Sequence, residues 1–112
     1  ICLKDMAGIG RPVFLGKLVK AIKTKYPHIK VQYHGHTGPG FSVASMLEVA
    51  RAGADYLDVA IEPLSWGKIH PDVITIQQML KNDGCTTSGP HNSRIWDFEY
   101  SSLRGRAESG TC

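Results

Sequence analysis

Strand-like and helix-like patterns alternate along most of this chain, at intervals of about 25 to 30 residues. The predicted strands are residues 1–3, 29–33 and 56–61, and the predicted helices are residues 12–26, 42–53 and 71–84. Strands that alternate with helices of this length form parallel βα units. Such units make either an open doubly wound sheet or a (β/α)8 barrel, which takes about 250 residues when closed. The sequence therefore predicts an α/β fold with a parallel sheet.

The first βα unit allows two predictions about burial. The run Ile1-Cys2-Leu3 is continuously apolar, which is typical of a strand buried on both faces of a parallel sheet. Pro12 then suits the first turn of a helix, where its missing N–H costs nothing. The apolar stripe of this helix is predicted to consist of Val13, Leu15, Leu18, Val19 and Ile22.

The βα pattern ends after the third helix. Residues 86–93 and 101–112 have the polar, glycine-rich composition of loops, whereas residues 95–100 alternate and predict a short strand. We therefore divide the chain into a βα region, residues 1–84, and an irregular tail, residues 85–112. Because the sequence begins with Ile1, inside a predicted strand, we expect it to be the interior of a longer protein.

The charge and cysteine patterns exclude several classes of protein. A net charge of +3 without a run of like charges does not indicate a nucleic-acid partner. No apolar run approaches the ~20 residues that cross a bilayer, so no membrane span is predicted. Cys2, Cys85 and Cys112 lack a metal-binding spacing. They are predicted to be thiols of a cytoplasmic protein, with Cys2 buried.

Polar side chains follow each predicted strand: Lys4 and Asp5, then His34 and His36, then Glu62. The carboxyl ends of parallel strands meet at one edge, which is the catalytic face of a barrel or the binding crevice of an open sheet. Residues i and i+2 of a strand point to the same face, so the two histidines project together, about 7 Å apart at the backbone. Two imidazoles at this spacing can bind one metal ion.

Lys4 extends this prediction to a third ligand. If its strand neighbours the strand of His34 and His36, at about 4.8 Å, the three side chains can meet. A metal ion repels a lysine ammonium, but a neutral buried lysine can react with CO2 to give a carbamate with carboxylate-like oxygens. The metal would then polarise a substrate carbonyl and ease enolate formation. The alternative is that Lys4 forms a structural salt bridge with an acidic neighbour.

The other polar residues have weaker patterns. His70 is predicted to be a loop or helix N-terminal residue rather than a ligand. Asp5 is predicted to hydrogen-bond the loop that follows it, and Glu62 to be a solvated carboxylate. The glycines at positions 38 and 40 predict a tight turn, because no GxGxxG or Walker pattern is present.

A family resemblance rests on two motifs. The segment Ile1-Cys2-Leu3-Lys4-Asp5-Met6-Ala7-Gly8 is followed, thirty residues after its lysine, by His34-Gly35-His36. This arrangement resembles the carboxyltransferase domain of biotin-dependent carboxylases, which include pyruvate carboxylase, the oxaloacetate decarboxylase alpha subunit and the transcarboxylase 5S subunit. The similarity covers residues 1–84. It implies that the chain is part of a TIM (β/α)8 barrel of which it supplies about three βα units.

The resemblance also implies a site and a reaction. Lys4 would match the carboxylated, catalytic lysine, and Lys4, His34 and His36 would together bind a divalent metal, commonly zinc, manganese or cobalt. The family moves a carboxyl group between carboxybiotin and a 2-oxo acid, typically pyruvate or oxaloacetate, through a metal-stabilised enolate. A carrier domain or subunit would supply the biotin. The open sheet edges of a partial barrel lead us to expect a homo-oligomer.

The sequence departs from the family pattern at several positions. The family usually has Asp-Thr after the second histidine, whereas Thr37-Gly38 follows here, and the missing carboxylate could orient a ligand histidine. The family's aspartate ligand and its substrate-binding arginine and glutamine also have no match. Two alternatives therefore remain: a lyase or acyl-CoA synthase of the same metal-dependent barrel superfamily, and a catalytically silent fragment.

Overall fold

The computed structural model describes residues 1–61, 63–88 and 105–109, and shows three βα units followed by two further strands. The elements are β1 (Cys2–Asp5), α1 (Pro12–Lys25), β2 (Gln32–Gly35), α2 (Ser42–Arg51), β3 (Tyr56–Val59), α3 (Val73–Asn82), β4 (Thr87–Ser88) and β5 (Gly105–Ser109). All three predicted strands and helices are present, with ends shifted by a few residues. Within the described residues, no helix has the length and apolar character that a membrane span requires.

The strands form one sheet in the order β1-β2-β3-β5-β4. Strands β1, β2 and β3 are parallel to one another, which confirms the predicted parallel βα arrangement. β5 pairs antiparallel with β3, and β4 pairs antiparallel with β5. The three parallel strands and their helices are a partial βα assembly, and the closed barrel stays a prediction.

The tail differs from its prediction where the structure describes it. Residues 87–88 and 105–109 are strands of the sheet rather than irregular chain. The segment Gly105–Ser109 has no apolar alternation, and its pairing with β3 uses backbone groups that any sequence offers. The strand predicted at residues 95–100 lies outside the described residues, as does Glu62.

The hydrophobic core lies between the helices and one face of the sheet. Alternation along the strands places Tyr33 of β2 and Leu57 and Val59 of β3 on this face, where at most 2% of each residue is exposed. The helices contribute most of the remaining core residues, namely Leu15, Val19, Met46, Val49, Ala50, Val73, Ile76 and Leu80. The strand residues that alternate with Tyr33, Leu57 and Val59 therefore point to the opposite face of the sheet.

That other face is polar. The sheet register pairs Lys4 with His34 and Gln32 with Tyr56, and partners in register share a face. Asp58 lies on the same face because it follows Tyr56 by two residues. This polar face carries the groups from which a site can be built.

Burial on both faces of β1 is a wrong prediction. Cys2 is exposed, and Ile1 is 55% exposed. In the described part of the chain the helices cover only one face of the sheet, so half of an apolar strand stays accessible. Cys85 was also predicted to be a thiol, but it is buried and disulfide-bonded, since cysteine spacing does not determine pairing.

The buried stripe of α1 is also displaced from its predicted position. Leu15, Gly16 and Val19 are buried, whereas Val13 is 58% exposed and Leu18 is 36% exposed. Gly16 explains the shift, because a Cβ there would lie 3.1 Å from the carbonyl oxygen of Glu48 in α2. Because α1 packs against α2 through Gly16, the face of α1 that carries Val13 and Leu18 is turned away from the core.

Asp55, the residue before β3, links three segments at the amino ends of the parallel strands. Its carboxylate accepts hydrogen bonds from the backbone N–H of Val31 at 2.9 Å, from Lys23 Nζ at 2.9 Å and from Lys30 Nζ at 3.1 Å. Burial acts to raise the pKa of Asp55, but these donors outweigh it and lower the pKa below its usual value. α1, β2 and β3 are thus joined at the end opposite the histidines.

Candidate metal centre

Three histidine rings meet at the carboxyl end of β2: His34 lies within this strand, and His36 and His70 lie in the loops after β2 and β3. The ligand atoms of His34, His36 and His70 all lie within 4.8 Å of one another, and we call this group the histidine cluster. Ring centroids are 5.5 Å apart for His34 and His36, 4.4 Å for His34 and His70, and 4.7 Å for His36 and His70. Imidazole nitrogens that converge in this way can bind one divalent metal ion.

His34 is oriented by a carboxylate on the neighbouring strand. Its Nδ1 lies 2.7 Å from Asp58 Oδ2, and an ionised carboxylate only accepts, so Nδ1 carries the hydrogen and donates. The lone pair of Nε2 is then left for a metal. Gln32 Nε2 donates to both Asp58 oxygens at 2.8 Å and fixes that carboxylate in turn. β3 therefore supplies the acidic partner that is missing after His36.

His36 lies in the loop that follows β2, and its backbone is held by the loop that follows β1. The His36 N–H donates to the carbonyl oxygen of Asp5 at 3.0 Å. The Asp5 carboxylate accepts from the N–H groups of Ile9, at 3.1 Å, and Gly10, at 2.8 Å, as predicted. The N–H of Gly40 donates to the carbonyl oxygen of Thr37 at 2.8 Å, which confirms the tight turn after His36.

His70 lies in a loop, as predicted, but its side chain enters the histidine cluster, which no pattern in the sequence indicated. Its Nδ1 donates to the carbonyl oxygen of Gly35 at 2.8 Å, so Nε2 is again the free acceptor. Burial lowers the pKa of the His70 imidazole, and nearby His34 and His36 add to this effect. A neutral ring, the form that binds metals, is therefore favoured at neutral pH.

Lys4 lies on the strand next to His34, as expected. The two residues are register partners in β1 and β2 and share the polar face of the sheet. Lys4 is exposed, whereas its reaction with CO2 was expected to need a buried lysine. It takes part in none of the ion pairs formed among the described residues. The structural salt bridge considered from the sequence is thus not seen in the described part, and ligation by Lys4 stays a prediction.

A cleft opens beside the histidine cluster. Its volume is about 480 Å3, and its lining residues are Met6, Ala7, His36, Gly38 and Lys68. This volume is in the range of small-molecule sites. An anion in the cleft would contact His36 and would be attracted by the exposed ammonium of Lys68.

The sequence is similar to segments of several pyruvate carboxylases. Mitochondrial pyruvate carboxylase of Rattus norvegicus is 34% identical over 101 residues, which cover 89% of this chain and 8% of the rat protein. Pyruvate carboxylase 1 of Caenorhabditis elegans is 37% identical over 81 residues, 72% of this chain and 7% of that protein. Pyruvate carboxylase of Komagataella pastoris is 31% identical over 104 residues, which cover 93% of this chain and 9% of that protein.

These matches cover most of this chain but a small part of each relative. The chain spans less than a tenth of the length of these curated relatives. No family model matches the sequence. The chain is thus a pyruvate carboxylase-related segment that carries a histidine cluster at the carboxyl ends of parallel strands.

Proposed function

We propose that this chain is part of the carboxyltransferase centre of a biotin-dependent carboxylase. In this proposal the centre moves a carboxyl group between carboxybiotin and a 2-oxo acid such as pyruvate or oxaloacetate. The observation that carries the proposal is the histidine cluster at the carboxyl ends of parallel strands, in a segment similar to pyruvate carboxylases. Catalytic groups of βα proteins occur at this edge of the sheet.

A divalent metal fits the residues present. Hydrogen bonds to Asp58 and to the Gly35 carbonyl occupy the Nδ1 atoms of His34 and His70, which leaves ring nitrogens of these residues free to ligate. In the proposed centre Lys4, His34 and His36 hold the ion, which is zinc, manganese or cobalt. When bound, it would supply Lewis-acid polarisation of a substrate carbonyl.

Lys4 would contribute as a carbamate. A neutral Lys4 amine adds to the carbon of CO2 and loses a proton to solvent, which gives an N-carboxylated side chain with one negative charge. Its exposure allows both CO2 and the departing proton to reach the amine. The register of β1 and β2 supports this role, because Lys4 and His34 are partners on adjacent strands and share one face of the sheet.

The cleft would receive the 2-oxo acid. Lys68 attracts a carboxylate, while His36 forms part of the wall nearest the histidine cluster. Biotin would arrive on a carrier domain or subunit. The complete enzyme is expected to be a closed (β/α)8 barrel and a homo-oligomer. A cytoplasmic location remains a prediction, and the rat relative is named as mitochondrial.

The replacement Asp58→Asn is expected to weaken zinc binding by about 10- to 100-fold, the usual effect of losing an outer partner of a ligand histidine. An amide has no charge to hold the Nδ1–H tautomer of His34, and its N–H2 end can force the hydrogen onto Nε2. Competition with a chelator measures the affinity. The control Asp83→Asn removes an exposed carboxylate that pairs with Arg51. Equal affinities of the two variants would contradict this role of Asp58.

The proposed reaction is tested by carboxyl transfer in the protein that contains this chain. We expect the wild-type protein to release pyruvate from oxaloacetate in the presence of biotin. Lys4→Gln, which cannot form a carbamate, should lower the rate about 100-fold or more, because a metal ligand matters at least as much as its outer partners. Native mass spectrometry should also show the mass of one CO2 on the wild-type protein and not on the variant.

Lys20→Gln is the matched control, since it removes an exposed lysine of α1. A Lys4→Gln rate equal to that of Lys20→Gln would refute the assigned role of Lys4. A wild-type protein that binds metal but shows no carboxyl transfer would refute the proposed reaction and favour the catalytically silent fragment.

A further inference from the structure

We propose that His70 is a third histidine ligand of the same metal ion, so that this chain alone offers three imidazoles to one divalent cation. The inference rests on the metal centre of the proposed function and adds a residue to it. Neither the histidine pair nor the lysine motif predicts this residue. Its position follows from the folded loop between β3 and α3.

The hydrogen bonds of His34 and His70 leave the Nε2 atom of each ring free to bind a metal. His34 and His70 both donate through Nδ1, to Asp58 at 2.7 Å and to the Gly35 carbonyl at 2.8 Å. Each ring therefore presents Nε2 as its acceptor. A donated Nδ1–H with a metal on Nε2 is the usual arrangement of a ligating histidine, because the outer hydrogen bond fixes the tautomer and the ring orientation.

The separation of the rings is compatible with one ion. The ligand atoms lie within 4.8 Å of one another. A tetrahedral zinc ion about 2.0–2.1 Å from each nitrogen holds its ligands about 3.4 Å apart. A pair of nitrogens 4.8 Å apart would therefore have to approach by about 1.4 Å, a distance within the reach of side-chain rotation. His36 is only half-buried, so its ring has room to move.

Backbone hydrogen bonds hold the His70 loop against the loop of His36. The carbonyl oxygen of Ile69 accepts from Thr37 N at 2.7 Å and from Thr37 Oγ1 at 2.9 Å. Behind His70, the N–H of Ala60 donates to the Pro71 carbonyl at 3.0 Å. The residues next to His36 and His70 thus bond directly to each other, and the third ring is placed by the same contacts that fix the pair.

Three imidazole ligands select a particular class of cation. Imidazole suits zinc, cobalt, nickel and copper, whereas magnesium and calcium prefer oxygen ligands. Three histidines are the protein ligand set of one class of catalytic zinc site, and the Lys4 carbamate of the proposed function would join them only where CO2 is present. A three-histidine set also does not need a carbamate on Lys4, so we expect the chain to bind Zn2+ or Co2+ in buffer from which CO2 has been removed.

The test is titration of the full chain with Co2+ and with Zn2+, using the variant His70→Asn. The asparagine amide retains a donor near the position of Nδ1, for the Gly35 carbonyl, but has no atom at the position of Nε2. We expect His70→Asn to lower the affinity about 100-fold or more and to change the visible absorption of bound Co2+. The matched control His28→Asn replaces an exposed histidine that lies outside the histidine cluster and should leave both unchanged.

A second measurement does not depend on the folding of a variant. In long-range 1H–15N spectra of the wild-type chain, added Zn2+ should shift the Nε2 resonance of His70 along with ring resonances of His34 and His36. If the His34 and His36 resonances shift while that of His70 does not, His70 is not a ligand and the metal centre of the proposed function stands. If Zn2+ shifts none of the three, both the inference and that metal centre are overturned.

Discussion

Replacing Gly8 by alanine is expected to lower the free energy of unfolding by about 2–5 kcal/mol and to open the histidine cluster. Gly8 has a φ of +66°, a conformation that costs an L-residue about 1–2 kcal/mol. An alanine Cβ would overlap the carbonyl oxygen of His36 and lie 2.9 Å from the backbone nitrogen of Gly38. These are backbone atoms that cannot rotate away, so the loop of His36 has to move.

The effect is measured by urea denaturation together with Zn2+ affinity, with Gly67→Ala as the control. Gly67 also has a positive φ, +54°, but no atom lies within 4 Å of the position of its Cβ. Gly67→Ala therefore has the free-energy cost of a positive φ but no steric clash. We expect Gly8→Ala to be clearly less stable than Gly67→Ala and to bind Zn2+ more weakly. Equal stability and equal affinity in the two variants would show that the packing of the β1 and β2 loops does not position His36.

The three βα units were predictable because their signals are local. Helical and strand periodicities depend on neighbours within a few residues, and the structure has each predicted element. The proximity of His34 and His36 followed from their spacing, and that of Lys4 from the expected pairing of successive parallel strands. These features needed no knowledge of how distant loops fold.

The remaining parts of the site depend on contacts between distant residues. Asp58 reaches His34 only because the register pairs Gln32 with Tyr56, and nothing in either segment alone specifies that register. His70 reaches the histidine cluster because its loop returns to Ala60 and bonds to Thr37. The one available signal was that His70 comes after a strand in the chain, as His36 does, and so can lie at the edge of the sheet where β2 carries His34.

Two misjudged features of the fold have a similar origin. Gly16 of α1 offers no apolar side chain, yet its lack of a Cβ determines where the helix packs on α2. β5 joins the sheet through backbone groups, which leave little trace in the sequence. Patterns of side-chain polarity do not report either kind of contact.

The double replacement His34→Ala with His36→Ala is expected to abolish divalent metal binding. It removes two of the three imidazoles of the histidine cluster and leaves His70, which alone holds a metal weakly. The change also leaves Asp58 without its histidine partner, so circular dichroism must show that the variant is folded. His28→Ala, at an exposed histidine outside the cluster, controls for the loss of an imidazole as such.

The most direct measurement is the metal content of the full chain after dialysis against Zn2+ and removal of loosely bound ions. We predict one zinc ion per chain in the wild type and in His28→Ala, and none in the folded double variant. A double variant that retains the wild-type zinc content would contradict the assignment of His34 and His36 as the centre of this site.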